Sequence, residues 1–257
     1  MHQPVALFSD ALVARLARAE RVAVLTGAGV SAESGVPTFR DPGGLWQRFR
    51  PEELANVDAF LANPVLVQGW YAHRLEVVDG CAPNPGHAAL AELEAWVAGR
   101  GGDFLLATQN VDGLHTRAGS RCVVELHGSL ARSHCAGCAR PASRAETQAH
   151  ADGEPARCPA CDGLVRPDVV WFGEALDPAH LDAASEAAAA ADVFLSVGTS
   201  SVVYPAAGLP LIAKAHGAYV AEINPEPSEI AGALDEQVPA AAGVALPALL
   251  AAARRAG

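Results

Sequence analysis

Four of the six cysteines fall into two Cys-x-x-Cys pairs, a spacing that binds zinc. Cys135 and Cys138 form the first pair, Cys158 and Cys161 form the second, and nineteen residues separate the pairs. Each pair can direct two sulfur atoms at one ion at a distance of about 2.3 Å. Four thiolates complete the tetrahedral coordination and leave no position for a reacting water, so the predicted zinc is structural. Two disulfides or free thiols are the alternative.

Three polar side chains, Gln109, Asn110 and Asp112, follow the apolar run 104–108 with one apolar residue among them. Burial of such groups is costly unless they meet hydrogen-bond partners or a ligand. The pattern therefore indicates a binding site, and a solvated turn is the alternative.

His127 is the candidate general base. It follows the apolar run 123–126 and precedes Gly128, whose missing side chain should leave room for a ligand. An imidazole with an ordinary pKa near 6.5 can accept a proton at neutral pH. His115 and His134 are rivals on position alone, and the second could instead support the zinc site.

A glycine pair follows the apolar run 22–26. Gly27 and Gly29 can adopt backbone angles closed to other residues, and with only Ala28 between them the turn should present bare N–H groups to a phosphate. A helix that begins near Ser31 would add its dipole to this attraction. The third glycine of the usual dinucleotide fingerprint is missing, so a plain tight turn is the alternative.

These groups need a scaffold that brings them together, and the apolar runs predict one. Strand-like runs occupy 22–26, 104–108, 123–126, 193–197 and 218–223, and alanine-rich helical stretches separate several of them. This alternation predicts an α/β fold with a doubly wound, Rossmann-like parallel sheet. In such sheets ligands bind beyond the carboxyl ends of the strands, so the polar motifs should converge on one crevice.

Two segments interrupt the alternation. Residues 43–84 contain aromatic and helix-compatible residues without a convincing strand, and 131–164 is polar and carries the four paired cysteines. We expect both to be insertions, a helical module and a zinc ribbon, that form a smaller domain beside the crevice. The large domain then comprises 1–42, 85–130 and 165–257.

Composition narrows the range of partners. The chain has 257 residues and a formal net charge of −11, which disfavours nucleic acid and favours basic partners such as lysine-rich protein segments. No run is long and apolar enough to predict a membrane span. The N-terminal stretch is typical of an amphipathic helix and lacks the apolar centre of a signal peptide, so we expect a cytoplasmic protein. The oligomeric state stays open, a monomer included.

The order and spelling of these motifs resemble the sirtuins, which are NAD-dependent protein-lysine deacylases. The resemblance rests on GAGVSAESGVPTFRD at 27–41, TQNVDGLH at 108–115, HG at 127–128, the two cysteine pairs, VVWFGE at 169–174, GTS at 198–200 and NPE at 224–226. These motifs span nearly the whole chain in the order of the family. The resemblance implies NAD as a consumed co-substrate, one structural zinc ion and acylated lysine segments of proteins as partners.

The resemblance also implies roles for individual residues. His127 would be the general base, Asn110 would orient the nicotinamide ribose and a nearby water, and Asp112 would hold the carboxamide of the nicotinamide. The acyl-lysine oxygen would attack the ribose as nicotinamide leaves, and the final products would be lysine and O-acyl-ADP-ribose. The implied cofactor-binding residues are Gly27, Ala28, Gly29, Ser31, Glu33, Phe39, Arg40, Trp46, Gln109, Asn110, Val111, Asp112, Gly198, Thr199, Ser200, Asn224, Pro225, Glu226 and Ala242.

The segment 169–174 is the implied docking site for the substrate backbone. Val169, Phe172, Gly173 and Glu174 would pair with a flexible peptide in strand fashion and wall the lysine channel. The pattern by itself favours a buried strand for this segment.

Tyr71 and Arg74 stand three residues apart on a predicted helix, where this spacing puts both side chains on one face. Without the resemblance, an ordinary amphipathic helix is the simpler interpretation. The Tyr-x-x-Arg pattern resembles that of sirtuins that remove succinyl, malonyl and glutaryl groups. Ala55 aligns with the small residue that widens their acyl pocket. An arginine can bind a carboxylate through two hydrogen bonds and a tyrosine can add a third, so we expect a preference for acidic acyl groups.

The sequence leaves three other functions open. They are a general NAD-dependent deacetylase, an NAD-consuming protein ADP-ribosyltransferase that would use the same crevice, and a non-catalytic module that only senses NAD. The joint presence of His127, Asn110 and Asp112 argues against the last of these.

Overall fold

The computed structural model describes residues 7–37, 51–147 and 153–257. Its strands are β1 Arg21–Thr26, β2 Asp103–Thr108, β3 Val123–Glu125, β4 Gly128–Cys135, β5 Pro141–Ala142, β6 Val165–Val169, β7 Val193–Val197, β8 Tyr219–Ile223 and β9 Glu236–Val238. Its α-helices are α1 Asp10–Arg18, α2 Ala28–Ala32, α3 Pro51–Leu54, α4 Val57–Ala62, α5 Pro64–Asp79, α6 Pro85–Ala98, α7 Leu114–Arg117, α8 Arg144–Thr147, α9 Pro178–Ala190, α10 Leu209–Ala215 and α11 Ala242–Ala256.

Six strands form a parallel sheet in the order β3-β2-β1-β7-β8-β9. The five predicted runs correspond to β1, β2, β3, β7 and β8, which confirms the doubly wound sheet. The sequence did not predict β9, which is short and begins with Glu236. Because every strand of this sheet points the same way, the carboxyl ends meet at one edge.

Apolar residues cover both faces of the sheet. On β1, Val22 and Val24 pack with α1, α6 and α11, whereas Ala23 and Leu25 pack with α9 and α10. Successive side chains of a strand point to opposite faces, so an unbroken apolar run is what a sheet covered on both sides requires. Full burial of a side chain such as Leu25 contributes about 1.5–3 kcal/mol.

Polar caps fix where two of the covering helices begin. Ser9 accepts a hydrogen bond from the Leu12 N–H and starts α1, and Asn84 starts α6 through a reciprocal capping box with His87. Each cap satisfies N–H groups that the first helical turn leaves without partners. Among the helices described, none combines the length and apolar character needed to cross a bilayer.

The other three strands form an antiparallel sheet in the order β5-β4-β6. A register shift between Ser129 and Ser133 bends β4 against β6. The helices α4 and α5 pack on this sheet through a cluster that includes Phe60, Val67, Trp70, Tyr71, Leu130 and Trp171. The small sheet contains 128–130 and 165–169, which the predicted domain division assigns to the large domain, and that division stays a prediction.

Candidate active site and zinc centre

The turns after β1 and β7 touch through glycines. The Gly27 N–H donates to the Val197 carbonyl at 3.0 Å and the Gly29 N–H donates to the Gly198 carbonyl at 2.8 Å. A side chain at Gly29 would stand 2.8 Å from the Gly198 Cα. The prediction of bare N–H groups at these two glycines was wrong, because the glycines serve a backbone contact. The helix α2 begins at Ala28 and contains Ser31 in its interior.

Three polar side chains lie in contact above the end of β1. The Asn110 amide donates from Nδ2 to the Gly27 carbonyl at 3.0 Å and to Ser31 Oγ at 3.2 Å. Ser31 Oγ donates to Asp112 Oδ2 at 2.8 Å, and Asp112 Oδ1 accepts from the Leu114 N–H at 2.8 Å. Asn110, Asp112 and Ser31 are buried. Two of the three predicted polar residues, Asn110 and Asp112, therefore form one ordered cluster with Ser31, and the solvated-turn alternative does not apply to them.

His87 is a member of this cluster that the sequence did not predict. Its Nδ1 accepts from the Asn84 N–H at 3.3 Å, so the proton sits on Nε2, which faces Ser31 Oγ at 3.4 Å. Burial lowers the pKa of His87 below its usual value. The sequence does contain a signal for this role, an asparagine followed three residues later by a histidine. This spacing is that of a helix cap, which fixes the imidazole ring of His87.

His127 lies in the turn between β3 and β4. The strand β3 ends at Glu125, one residue before the predicted end at residue 126. Its Nδ1 lies 3.0 Å from the Gln109 carbonyl oxygen. A carbonyl only accepts, so Nδ1 carries the proton and Nε2 keeps its lone pair. Burial lowers the pKa of His127 below its usual value, although the bond to Gln109 opposes this. The imidazole is thus neutral at pH 7 with Nε2 as the basic atom.

Gly128 serves the small sheet and not a ligand. Its φ is +77°, and a side chain there would stand 2.0 Å from the Asp168 carbonyl oxygen. The expectation that Gly128 clears room for a ligand was therefore wrong, because the space is filled by the backbone of β6.

The structure places the two rival histidines in other roles. His115 is 2% exposed, and its Nε2 lies 2.9 Å from Thr26 Oγ1, which donates its own proton to Thr108 Oγ1. His115 must therefore donate from Nε2, and burial lowers its pKa to about 3. His134 Nδ1 lies 3.5 Å from Asp168 Oδ1 and so contacts a carboxylate of β6.

The far side of the crevice is built from the ends of β7 and β8. Gln109 donates to Thr199 Oγ1 at 3.0 Å, which joins the β2 end to the β7 end. Asn224 donates to the Thr199 carbonyl at 3.1 Å. Ser200 accepts from Glu229 through its carbonyl. The residues predicted from GTS and NPE are thus brought to the same edge as those of TQNVD.

Two loops at this edge depend on carboxylates that the sequence did not single out for this role. Glu222, 1% exposed, accepts from the Ser228 N–H at 3.0 Å and orders the loop with the exposed Pro225 and Glu226. Glu33, at the end of α2, accepts from the Gly243 N–H at 2.7 Å, next to the buried Ala242.

The remaining cofactor predictions divide into two groups. Val111 packs against the aromatic cluster of the small sheet, and its carbonyl accepts from the Leu130 N–H at 2.8 Å. Phe39, Arg40 and Trp46 lie outside the described residues.

The predicted acyl-pocket residues meet in the aromatic cluster. Tyr71 and Arg74 lie on α5, and the Tyr71 hydroxyl accepts from Trp171 Nε1 at 2.8 Å. The Arg74 guanidinium stands 4.8 Å from the Trp70 ring centre and 5.4 Å from the Tyr71 ring centre. Ala55 is buried in the same cluster, and its carbonyl accepts from the Phe172 N–H at 2.9 Å.

The segment 169–174 is a strand only at its first residue, because β6 ends at Val169. Arg166 stacks over Trp171 at 3.5 Å and donates two hydrogen bonds to Glu174, at 2.6 and 2.8 Å. Phe172 is 51% exposed, and Gly173 has a φ of +88°. The strand interpretation thus fails beyond Val169, and the two bonds from Arg166 to Glu174 hold an irregular segment in which Phe172 and Gly173 are exposed.

The four paired cysteines form a compact cluster in which all Sγ atoms lie within 4.8 Å of one another. The Sγ atoms of Cys135 and Cys161 are 3.4 Å apart and those of Cys138 and Cys158 are 3.8 Å apart, too far for disulfides. The Arg140 guanidinium lowers the pKa of Cys158 to about 6, which favours the thiolate form that binds metal. The donor set fits one structural zinc ion.

Comparisons with known proteins agree with this geometry. The Sir2 family profile matches residues 27–205. An "NAD-dependent protein deacylase 2" of Pyrobaculum aerophilum is 54% identical over 235 residues, 91% of this chain and 92% of that protein. An "NAD-dependent protein deacylase 1" of Pseudomonas aeruginosa is 51% identical over 93% of this chain and 97% of that protein.

Solved structures give the same result. A Sir2 homologue in complex with NAD superposes with a TM-score of 0.90 at 44% identity and covers 99% of this chain and 97% of that one. A mutant Sir2 homologue in complex with ADP-ribose gives a TM-score of 0.89 at 44% identity, over 97% of this chain and 98% of that one. The profile match and relatives of this similarity over nearly the full length confirm the resemblance to sirtuins: the chain belongs to the Sir2 family.

Proposed function

We propose that this chain is an NAD-dependent protein-lysine deacylase that prefers acidic acyl groups such as succinyl, malonyl and glutaryl. Its curated relatives carry the name NAD-dependent protein deacylase. The observation that carries the proposal is the tautomer of His127, whose basic Nε2 belongs to the same strand-end edge as Asn110 and Asp112. One water is consumed when the acyl–lysine bond breaks, and the products are free lysine, nicotinamide and the O-acyl ester of ADP-ribose.

The cluster around Asn110 suits the nicotinamide half of NAD, which supplies an electrophilic ribose carbon to the reaction. The Asp112 carboxylate is oriented by Ser31 and by the Leu114 N–H, so it can accept from a carboxamide. Asn110 is held by two hydrogen bonds. Groups fixed before the reaction lower its barrier because little reorganisation remains.

His127 supplies the proton transfer. With Nδ1 held by the Gln109 carbonyl, Nε2 accepts a proton from a ribose hydroxyl and makes that oxygen nucleophilic toward the transferred acyl carbon. The lowered pKa keeps the imidazole neutral at pH 7 and thus ready to accept. A general base of this kind contributes roughly 10²–10⁴-fold to the rate.

The acylated segment docks beside the residues that follow β6 in the small sheet. β6 is an outer strand of that sheet, and the accessible Phe172 and Gly173 follow it. Pairing through main-chain groups accepts many sequences, which suits a deacylase with several protein substrates. The net charge of −11 favours lysine-rich segments.

The acyl preference rests on Tyr71 and Arg74. The Tyr71 hydroxyl accepts from Trp171, so its own proton is available to a carboxylate. Burial lowers the pKa of Arg74, and the neighbouring Tyr71 and Asp112 oppose this. A carboxylate at the end of the acyl chain would add a charge-assisted hydrogen bond to the guanidinium, whereas an acetyl methyl group would not.

The direct test offers one peptide with acetyl-, succinyl- or glutaryl-lysine together with NAD and identifies the products by mass. We expect O-acyl-ADP-ribose from each, with the highest kcat/KM for the acidic groups. ADP-ribose attached to protein, without the free ester, would identify an ADP-ribosyltransferase instead.

Arg74→Met tests the acyl preference. Loss of a charge-assisted hydrogen bond costs about 1.5–3 kcal/mol, so the ratio of kcat/KM for succinyl over acetyl substrate should fall roughly ten- to a hundredfold. Arg144→Met is the matched control, because Arg144 is exposed and contacts Asp79 at the end of the same helix. An unchanged ratio in Arg74→Met would make the enzyme a general deacetylase.

A further inference from the structure

Gln68 makes three hydrogen bonds to backbone that belongs to the zinc-binding part of the chain. It lies on α5 and is 6% exposed. Its Oε1 accepts from the Ala156 N–H at 2.8 Å, and its Nε2 donates to the Ala156 carbonyl at 3.0 Å and to the Val165 carbonyl at 2.7 Å. A glutamine amide satisfies all three because it carries both a donor and an acceptor.

The bonded residues bracket the second cysteine pair. Ala156 precedes Cys158 by two residues, Val165 follows Cys161 by four, and the Val165 N–H donates to the Ala156 carbonyl at 3.0 Å. Val165 also pairs with Cys135 across the β4–β6 ladder. Gln68 therefore holds the base of the hairpin that carries two thiolates and adjoins a third.

The same helix carries the acyl-pocket residues one turn further on. Tyr71 follows Gln68 by three residues and is bonded to Trp171, beyond the end of β6. α5 is thus bonded to β6 and its continuation at two points. Gln68 bonds to Val165, the first residue of β6, and Tyr71 bonds to Trp171, two residues after β6 ends. The position of the tyrosine hydroxyl relative to the segment 169–174 depends on both bonds.

We propose that Gln68 is a positioning residue that couples the zinc centre to the acyl-lysine pocket. Release of zinc loosens the hairpin 156–165, the Gln68 contacts open, and α5 with Tyr71 shifts away from Trp171. The inference rests on the proposed function for the identity of the pocket, but the coupling itself is independent of the acyl group that the pocket prefers.

Hydrogen–deuterium exchange of the zinc-loaded wild-type protein tests the coupling without any variant. After zinc is extracted by a chelator, amides of α5 should exchange faster together with those of 156–165, while amides of β1 and β7 should keep their rates. Unchanged exchange along α5 after complete loss of zinc would overturn the proposal.

Gln68→Met removes the three bonds and keeps the length of the side chain. We expect zinc transfer to a chromophoric chelator to become faster on the order of tenfold, and KM for an acylated peptide to rise more than kcat falls. In this variant α5 should already exchange fast with zinc bound, and extraction should change it little. Zinc transfer at the wild-type rate would contradict the proposal.

Leu246→Ala is the control for general destabilisation. Leu246 is a buried residue of α11 in the core of the large sheet, so the variant should lower the melting temperature without faster zinc transfer. Equal acceleration in both variants would reduce Gln68 to a contributor to stability. Zinc transfer and hydrogen–deuterium exchange report on Gln68 even if the enzyme removes all acyl groups equally well. A failure of the proposed acyl preference can therefore be distinguished from a failure of the proposed coupling.

Discussion

The crevice of the large sheet and the small sheet with its cysteines are held by different forces. In β1 every residue after Arg21 is buried, and helices cover both faces. In β4 only Leu130, Ser129 and Cys135 are buried. The large sheet is stabilised by apolar burial on both faces, whereas the small sheet combines one apolar cluster with four cysteines placed to bind zinc and a few hydrogen bonds. A substitution at the catalytic histidine and a substitution at a cysteine should therefore have different effects, the first on turnover and the second on stability.

The largest expected effect is on turnover. His127→Ala removes the basic Nε2, and kcat should fall roughly 10²–10⁴-fold. The affinity for NAD, measured by calorimetry, and the melting temperature should change little, because the ring lies in a turn and not in an apolar core. His216→Ala, at an exposed histidine, is the control. Substantial turnover by His127→Ala would remove the general-base assignment.

Cys135→Ser should act through the fold of the zinc-binding part and leave the crevice of the large sheet in place. Three thiolates hold zinc less tightly, and the lost binding free energy appears as lost stability. Each kcal/mol lowers the melting temperature of a chain this size by about 2–4 °C. The zinc content should drop below one per chain, whereas Cys122→Ser, at an exposed cysteine, should keep it. A Cys135→Ser protein with full zinc content and unchanged melting temperature would refute the site.

The effect expected to be smallest near neutral pH lies in the large sheet and grows only as the pH falls. The pKa of His115 is about 3 in the folded protein and near 6.5 in an unfolded chain. Below pH 6.5 the unfolded state binds the extra proton, so stability is lost as the pH falls from 6.5 toward 3, by up to about 1.4 kcal/mol per pH unit. Denaturant midpoints should depend less on pH in His115→Asn than in the exposed control His73→Asn. Parallel curves would show that the buried imidazole is already charged.

The sequence predicted the large sheet well because its signal is local. Uninterrupted apolar runs mark strands buried on both faces, and five of them match β1, β2, β3, β7 and β8 to within two residues. β9 escaped prediction because Glu236 and Gln237 give it no apolar run. The cysteine cluster was predictable for a similar reason, since two short spacings define it.

The contacts within the site were less accessible to sequence analysis. The tautomer of His127 depends on a carbonyl eighteen residues away in the chain. The contacts of Gln68 with Ala156 and Val165 depend on how α5 lies across β6, which no local pattern encodes. The same is true of Gly27 and Gly29, whose N–H groups donate to the carbonyls of Val197 and Gly198 at the end of β7 and not to a phosphate.

The meeting of Gly27, Gly29 and Gly198 has a consequence for mutational tolerance. A methyl group at Gly27 would stand 2.8 Å from the Gly198 carbonyl oxygen, and one at Gly198 would stand 2.4 Å from the Val30 nitrogen. Alanine, the mildest replacement on most helix surfaces, would here force two strand ends apart. We therefore expect these three glycines to tolerate substitution least among the residues of the crevice floor. What the fold requires at each of them is the absence of a single carbon atom, the Cβ.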